Sequence, residues 1–523
     1  MQRRTFLMGT AAGAALVAAP TGGLLTASAT AAPAAIGSLD ELQAAIDRAR
    51  PGDRIVVADG RYTVPSDRPL TIRDKQGTGR APITVAARTP GGVILDGPHS
   101  FVLDGSSHIT LSGFSFRQST TLEIPETCSH IRLTRNDFQL ADIEGLHWVM
   151  VRADDSTVDH NHFHNKSTLG IYLGIEGAGT EEMAQRVHIF RNHFSDHSFA
   201  GSNGGEPIRL GVSPRALSSA HAVVEYNLFE RADGDPEAIS VKSSDNTIRY
   251  NTIRDSFGGI VLRHGNRTRV EGNHLLGGTE GMRVYGNDHV IVNNHLNGLS
   301  GRALVIGSGS ERDHLPGETP EARRGNDAPD RILIAYNTLV NNNGTLSGES
   351  HRPHEPRDVT VADNLFVADT GELVAMANTV RFAWSGNILW GAATDGNIPA
   401  DGFTRVDPKL VTGPDGVARL SAGSPAIGAG TLRKPPVTHD IDGHPRGRLR
   451  DVGSDEYSDR APRNKPLTPA CLLYTAPLLP GVRPGRARAW CPCASRCGHH
   501  GPAGSGCGWR VRGCRCVRTR AAG

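Results

Sequence analysis

The residues best suited to chemistry lie in one stretch, from Asn203 to Arg263. Asn203 is followed at a distance by Asp235-Pro-Glu237, by Lys242 and by Arg263 itself. Two carboxylates at i and i+2 of an extended segment face the same side, and an amide oxygen nearby completes the hard-oxygen cluster that Ca²⁺ prefers. A lysine and an arginine beside such a cluster can act as a base and as a stabiliser of developing negative charge. This stretch therefore predicts a catalytic site with a bound cation.

A repeated motif predicts the scaffold that positions these residues. An Asn, any residue and a large apolar residue recur at intervals of 21 to 43 residues, starting at Asn136, Asn161, Asn192, Asn227, Asn251, Asn273, Asn294, Asn337, Asn364 and Asn387. The short interval indicates one coil, and the longer ones indicate coils with inserted loops. The predicted fold is all-β, a single-stranded right-handed parallel β-helix. A propeller would need units of about 40 residues with four strands each.

The ends of this scaffold are also predicted. Ser38-Leu-Asp-Glu41 is typical of a capping box, so a short helix is expected to cover the N-terminal end of the coils. The β-helix domain is expected to span residues 38–460. Residues 1–31, with Arg3-Arg4 and a short apolar run, are typical of a twin-arginine export signal, which predicts a secreted protein with no membrane anchor once the signal is removed.

The C-terminal segment differs in composition from the rest of the chain. Residues 463–523 hold eleven Lys or Arg, seven of the eight cysteines and no acidic residue. They are predicted to be disordered or an out-of-frame extension, because they have a low apolar content and only positive charges. A zinc or disulfide module is the alternative, although the cysteine spacings match no zinc motif. Of 56 basic and 54 acidic residues in all, the remainder of the chain therefore carries an excess of acid. This excess argues against a nucleic-acid partner.

The alternation of apolar and polar residues predicts a basic face on this acidic body. It directs Lys242 and Arg263 outward, and their offset of 21 residues predicts that they are side-by-side neighbours on adjacent coils. Arg209, Arg283 and Tyr285 are expected to point outward in the same way. A column of Arg209, Lys242, Arg263 and Arg283 would bind an anionic polymer, although a solvated charged sheet face would have a similar pattern.

Three motifs together resemble polysaccharide lyase family 6, which comprises alginate lyases and the chondroitinase B type that cleaves dermatan sulfate. They are Asn203-Gly-Gly-Glu, Asp235-Pro-Glu237-Ala-Ile-Ser-Val-Lys242-Ser and Leu262-Arg263-His-Gly-Asn. The resemblance implies a Ca²⁺ ion held by Asn203, Asp235 and Glu237, with Lys242 as base and Arg263 as its partner. Asp235 departs from the glutamate that is usual in the family. Arg209, His264, Arg283 and Tyr285 are the predicted substrate contacts.

The predicted reaction is β-elimination on a uronate polymer, with alginate as the expected substrate. The product carries a 4,5-unsaturated uronate at its new end. A cation on the uronate carboxylate would make the C5 proton removable by Lys242. Dermatan sulfate is the alternative substrate. A β-helix glycoside hydrolase would use paired carboxylates such as Asp154-Asp155 instead, and a non-catalytic glycan-binding protein is a further alternative. The oligomeric state, and endo or exo action, stay open.

Overall fold

The computed structural model describes residues 35–434 and 436–472. The predicted export signal, residues 1–31, lies outside the described residues, as does most of the predicted tail, from residue 473 onward. None of the helices in the described part is long and apolar enough to cross a membrane.

The single α-helix of the described residues, α1 (Leu39–Arg48), covers the N-terminal end as predicted. The Ser38 hydroxyl accepts a hydrogen bond from the Glu41 amide, and the Glu41 carboxylate accepts one from the Gly37 amide. This exchange satisfies amides of the first turn that have no partner within the helix. Leu42 and Ile46 are buried on the face that packs on the first coils.

Three long parallel sheets form the walls of the β-helix, and each regular coil contributes one strand to each sheet. Sheet 1 contains β1 (Arg54–Val57), β4 (Ile83–Ala87), β7 (Ile109–Ser112), β10 (Arg132–Thr134), β13 (Thr157–Asp159), β16 (His188–Phe190), β19 (Val223–Glu225), β22 (Thr247–Arg249), β25 (Arg269–Glu271), β28 (Val290–Val292), β31 (Leu333–Ala335), β34 (Thr360–Ala362) and β37 (Ala383–Ser385).

Sheet 2 follows sheet 1 along each coil. It contains β2 (Gly60–Thr63), β5 (Val93–Asp96), β8 (Phe114–Phe116), β11 (Asp137–Phe138), β14 (His162–Lys166), β17 (His193–His197), β20 (Leu228–Ala232), β23 (Thr252–Arg254), β26 (His274–Leu276), β29 (His295–Asn297), β32 (Thr338–Val340), β35 (Leu365–Val367), β38 (Asn387–Trp390) and β40 (Phe403–Arg405).

Sheet 3 completes the coil and carries the stretch singled out in the sequence. It contains β9 (Leu122–Ile124), β12 (Val149–Val151), β15 (Leu173–Ile175), β18 (Ile208–Leu210), β21 (Glu237–Lys242), β24 (Gly259–His264), β27 (Met282–Val284), β30 (Arg302–Ile306), β33 (Gly344–Gly348), β36 (Glu372–Ala375) and β39 (Thr394–Gly396). Two small sheets remain: β3 (Leu70–Arg73) with β6 (Phe101–Asp104), and the antiparallel pair β41 (Leu410–Thr412) with β42 (Ala418–Leu420). The described residues thus form the predicted right-handed parallel β-helix.

A buried ladder of asparagines marks the corner between sheets 1 and 2. From Asn161 to Asn387 each side-chain oxygen accepts hydrogen bonds from the backbone and side-chain amides of the Asn one coil earlier, at 2.9–3.1 Å. The ladder confirms that the repeated motif forms the coil corners. The residue before each Asn adopts the left-handed conformation that turns the chain at the corner, such as Arg135 at φ 56°.

Apolar side chains fill the interior as continuous stacks. Phe116, Phe138, Phe163, Phe194 and Phe229 lie above one another with ring centroids 4.6–5.0 Å apart. One coil alone could not bury these rings, so neighbouring coils stabilise each other, as in other solenoids.

The first residues of the predicted tail lie against the body. The amides of Arg463 and Asn464 donate to the Asp442 carbonyl, and the Leu467 amide donates to the Thr252 hydroxyl at 2.8 Å. A short 3₁₀ helix, Pro469–Cys471, follows, and Leu472 after it is buried. Residues 463–472 are therefore ordered on the β-helix.

Candidate active site

The candidate site is a pocket of about 490 Å³ on the outer face of sheet 3. Strands β18, β21 and β24 form its floor, and two 3₁₀ helices, Ser213–Arg215 and Ala322–Arg324, stand beside it. Polar and charged residues predominate among those that line it: Ser202, Asn203, Arg209, Val212, Ser213, Glu237, Lys242, Arg263, His264 and Arg324. Six predicted site residues are thus brought together on one surface.

A β-bulge changes the predicted relation between Lys242 and Arg263. Val241 pairs with Leu262 in the regular register, but Lys242 pairs with His264. The extra residue, Arg263, has no partner on β21, so the prediction that it lies directly beside Lys242 was wrong. A bulge redirects side chains locally, and here both Lys242 and Arg263 still reach the pocket.

The predicted column of four basic residues was also wrong as a single row. Arg209 pairs with Ser240, Ser240 with Val261, and Val261 with Arg283. Lys242 lies two residues further along its strand than this row. The four basic groups therefore do not lie in one row, which reduces their mutual repulsion.

Three buried carboxylates lie beneath and beside the basic groups. Glu206 is 1% exposed, Asp235 1% and Glu237 6%. Lys242 Nζ donates to Glu206 Oε1 at 3.0 Å, and Arg283 donates to Glu237 Oε1 at 3.2 Å. Arg263 is 3.5 Å from that same Glu237 oxygen. Ion pairs between these basic and acidic side chains therefore stabilise the floor of the pocket.

Two glycines allow the segments carrying these carboxylates to approach each other. A Cβ added at Gly205 would lie 2.3 Å from the Gly234 carbonyl oxygen, and one added at Gly234 would lie 2.4 Å from the Gly205 carbonyl oxygen. Any larger residue at either position would separate the two backbones. The glycines thus bring Glu206 next to Asp235.

This closeness perturbs both acids. Burial, together with the neighbouring charges of Glu206 and Glu237, raises the pKa of Asp235 to about 7, although its two backbone hydrogen bonds act to lower it. Burial acts on Glu206 in the same sense, but Lys242 and Arg209 bring the pKa of Glu206 below its ordinary value. The three carboxylates therefore lie close enough together for the charges of Glu206 and Glu237 to disfavour ionisation of Asp235.

A cation bound between these carboxylates would relieve their repulsion. Glu206 Oε2 is buried and has no hydrogen-bond partner among the described residues, which leaves one carboxylate oxygen free. Asn203 is exposed at the rim and Glu237 faces the pocket, so two predicted ligands line it. Asp235 lies behind them, with its oxygens accepting from the amides of Gly205 and Glu237. Oxygen ligands of this kind fit Ca²⁺.

The predicted substrate contacts differ in position. His264 lines the pocket, is 3% exposed and lies 3.1 Å from the Ser213 hydroxyl; burial lowers its pKa to about 3, so its ring is neutral. Arg283 lies behind Glu237 and is not among the lining residues. Tyr285 is 1% exposed, because Glu349 accepts its hydroxyl hydrogen bond and Arg352 covers its ring. The alternation of apolar and polar residues predicted that Tyr285 points outward, but it could not show that Glu349 and Arg352 cover the side chain.

Sequence reasoning assigned no role to Glu206 or to four residues that line the pocket: Ser202, Val212, Ser213 and Arg324. Glu206 was part of the quoted Asn203-Gly-Gly-Glu motif but had no role assigned. Ser213 and Arg324 come from loops between sheet strands, and the loop with Arg324 fills the longest interval of the Asn repeat, 43 residues. That interval was the available signal for an insertion beside the pocket.

Two other groups bear on the predicted chemistry. The acid pair considered for a hydrolase is engaged elsewhere, since Arg186 makes ion pairs with both Asp155 and Asp154.

Among the described residues, one group of three His, Cys, Asp or Glu side chains has ligand atoms within 4.8 Å of one another: Asp137, His162 and His164 on sheet 2. This group can hold a metal ion, and it lies on a different sheet from the pocket.

Comparisons with known proteins identify a matching family and similar folds. A family model described as chondroitinase B matches residues 36–379. The solved structure of the PL6 family alginate lyase AlyGC has a TM-score of 0.64 and 26% identity, covering 80% of this chain and 57% of that one. A mannuronic acid specific family 6 lyase from human gut microbiota has a TM-score of 0.62 and 24% identity, over 71% and 90%. No curated protein matches. This chain spans just over half the length of AlyGC.

Proposed function

This chain belongs to the chondroitinase B family, polysaccharide lyase family 6, and we propose that it cleaves alginate by β-elimination. The observation that carries the proposal is the pocket that holds Lys242, Arg263 and Glu237 together above buried carboxylates. The likeness to AlyGC, which is an alginate lyase, supports alginate as the substrate. Residues 1–31 support the further proposal that the protein is secreted.

Lys242 is the proposed base. Its side chain is 11% exposed, and its amino group lies in the pocket wall, where it can reach the C5 proton of a bound uronate. The hydrogen bond from Lys242 Nζ to Glu206 Oε1, at 3.0 Å, fixes the position of the amine that would take the C5 proton. A base positioned in this way contributes about 10²–10⁴-fold to a rate.

Arg263 is the proposed partner on the leaving-group side. Its side chain is 36% exposed and lies 3.5 Å from Glu237, so the guanidinium can donate to a substrate oxygen without losing its anchor. Guanidinium groups are poor acids. We therefore assign to Arg263 the stabilisation of negative charge on O4 and on the uronate carboxylate, while His264, which is neutral, holds Ser213 at the pocket edge.

Asn203, Asp235 and Glu237 are the proposed Ca²⁺ ligands. When bound there, Ca²⁺ would neutralise the uronate carboxylate and so lower the cost of removing the C5 proton. The unpartnered oxygen of Glu206 and the raised pKa of Asp235 support a cation in this position. The family description favours dermatan sulfate as the second candidate substrate.

The test is incubation with alginate, polymannuronate, polyguluronate and dermatan sulfate in the presence of Ca²⁺, following the ultraviolet absorbance of unsaturated uronate. We expect product from alginate, none from Lys242→Ala, and wild-type activity from Arg267→Ala. Arg267 is a matched control because it is an outward arginine, paired with Asp245, that does not line the pocket.

If dermatan sulfate alone gave product, the substrate would be dermatan sulfate and not alginate. No product from any polymer would contradict the lyase proposal. Full activity of Lys242→Ala would remove Lys242 from the role of base.

A further inference from the structure

A second polar cluster lies on the outer face of sheet 2, away from the pocket. His162 and His164 are at i and i+2 on β14, so both side chains point to the same side of the strand. Asp137 on β11 pairs directly with His162. The side chains are 13%, 17% and 14% exposed for Asp137, His162 and His164, so solvent reaches all three.

The spacing of their ligand atoms matches a tetrahedral metal site. Asp137 Oδ2 lies 3.0 Å from His164 Nε2 and 3.9 Å from His162 Nδ1, and all three atoms lie within 4.8 Å of one another. With metal–ligand bonds of about 2.0–2.2 Å, tetrahedral geometry separates two ligand atoms by roughly 3.4 Å. Small side-chain rotations bring these atoms onto one ion.

The ligand types select the metal. Two imidazole nitrogens and one carboxylate oxygen suit Zn²⁺ and other late first-row ions, whereas Ca²⁺ and Mg²⁺ prefer oxygen ligands only. Three protein ligands leave a fourth tetrahedral position, which water can fill because the cluster is partly exposed. The oxygen ligands at the pocket on sheet 3 favour Ca²⁺ instead.

Neighbouring groups already orient the ligands. Arg117 binds the other oxygen of Asp137, Oδ1, and leaves Oδ2 directed at the histidines. The Ser195 hydroxyl lies 3.0 Å from His162 Nε2, on the side of the ring opposite to the cluster. His193 stacks on His162 with centroids 4.6 Å apart. Such outer contacts fix ring orientation in metal sites.

We propose that Asp137, His162 and His164 bind one Zn²⁺ ion, which joins the coils of β11 and β14 and stabilises the fold. The site is independent of the proposed lyase reaction, since its three ligands lie on sheet 2 and the pocket lies on sheet 3. Zn²⁺ binding to the folded chain raises its melting temperature by mass action.

The test measures bound metal on the untagged full-length chain and compares it with the double variant His162→Gln/His164→Gln. The matched control is His188→Gln, which removes a histidine of sheet 1 that pairs with Glu225. After dialysis against Zn²⁺ and removal of free ion, we expect one ion fewer per chain in the double variant and no change in the control. Zn²⁺ should raise the melting temperature of the wild type and the control only.

The cysteines of residues 463–523 can also bind Zn²⁺, and Co²⁺ substitution separates the two. The wild-type minus double-variant spectrum should show visible ligand-field bands without the charge-transfer band that thiolates give. Equal metal content in all three proteins, or a difference spectrum with a thiolate band, would overturn the proposal.

Asp137→Asn, which keeps the side-chain shape, guards against misfolding of the double variant and should weaken Zn²⁺ binding by at least about 10-fold. Unchanged binding in Asp137→Asn would exclude Asp137 as a ligand. Elimination activity assayed with Ca²⁺ should persist in a folded Asp137→Asn variant, so this proposal and the lyase proposal can fail separately.

Discussion

Replacing Lys242 is expected to affect stability as well as catalysis, and the two effects can be separated. Lys242 pairs with Glu206, which is 1% exposed, so Lys242→Ala leaves a buried carboxylate without its cation. Removing one partner of a buried ion pair costs about 3–5 kcal/mol. Scaled to a chain of this length, 1 kcal/mol corresponds to roughly 1 °C in melting temperature. We expect Lys242→Ala to melt about 3–5 °C below the wild type at neutral pH.

The double variant Lys242→Ala/Glu206→Gln provides the internal control. Replacing Glu206 by the neutral glutamine removes the uncompensated charge, so the double variant should recover most of the lost melting temperature. It should not recover activity, because the proposed base is still absent. Loss of that base should reduce turnover by about 10²–10⁴-fold in both variants.

The difference in melting temperature between the wild type and Lys242→Ala should change with pH in one direction. In the wild type, Lys242 and Arg209 hold the pKa of Glu206 below its ordinary value despite burial, so this group stabilises the fold above about pH 4 and loses that contribution in acid. Without Lys242, burial favours the protonated acid instead. The gap in melting temperature between wild type and Lys242→Ala should therefore shrink as the pH falls toward about 4. A gap that stayed constant with pH, or a double variant as unstable as the single one, would refute this reasoning.

Three further predictions concern the rest of the site and the chain end. Arg263→Ala should abolish elimination but shift the melting temperature by less than about 1 °C, because the side chain is partly exposed; a large destabilisation would contradict this. In the chelated protein, Asp235 has a raised pKa of about 7, so stability should fall as the pH rises from about 4 to 7, and Asp235→Asn should flatten that slope in thermal melts. A chain ending at residue 472 should melt like the full chain, whereas one ending at residue 462 should melt lower, because it loses the hydrogen bond from Leu467 to Thr252.

The fold could be predicted from the amino-acid sequence, because it depends on local interactions that repeat from coil to coil. The alternating apolar residues and the capping box involve residues close in sequence. Each Asn of the ladder bonds an equivalent Asn one coil away, so the same interaction repeats along the chain. Ten repeats made the pattern unambiguous, and the ladder from Asn136 to Asn387 follows it. The residues predicted for the reaction, Lys242 and Arg263, also line one pocket for this reason.

The contacts between side chains within that pocket could not be predicted in the same way and became visible in the three-dimensional structure. The bulge at Arg263 changes the register by one residue, which the 21-residue spacing could not show because the spacing counts residues without their pairing. Tyr285 points outward but is covered by Glu349 from another loop. Glu206 became important only because Gly205 and Gly234 bring its segment against that of Asp235. Contacts between distant segments depend on loop paths, and no local pattern encodes them.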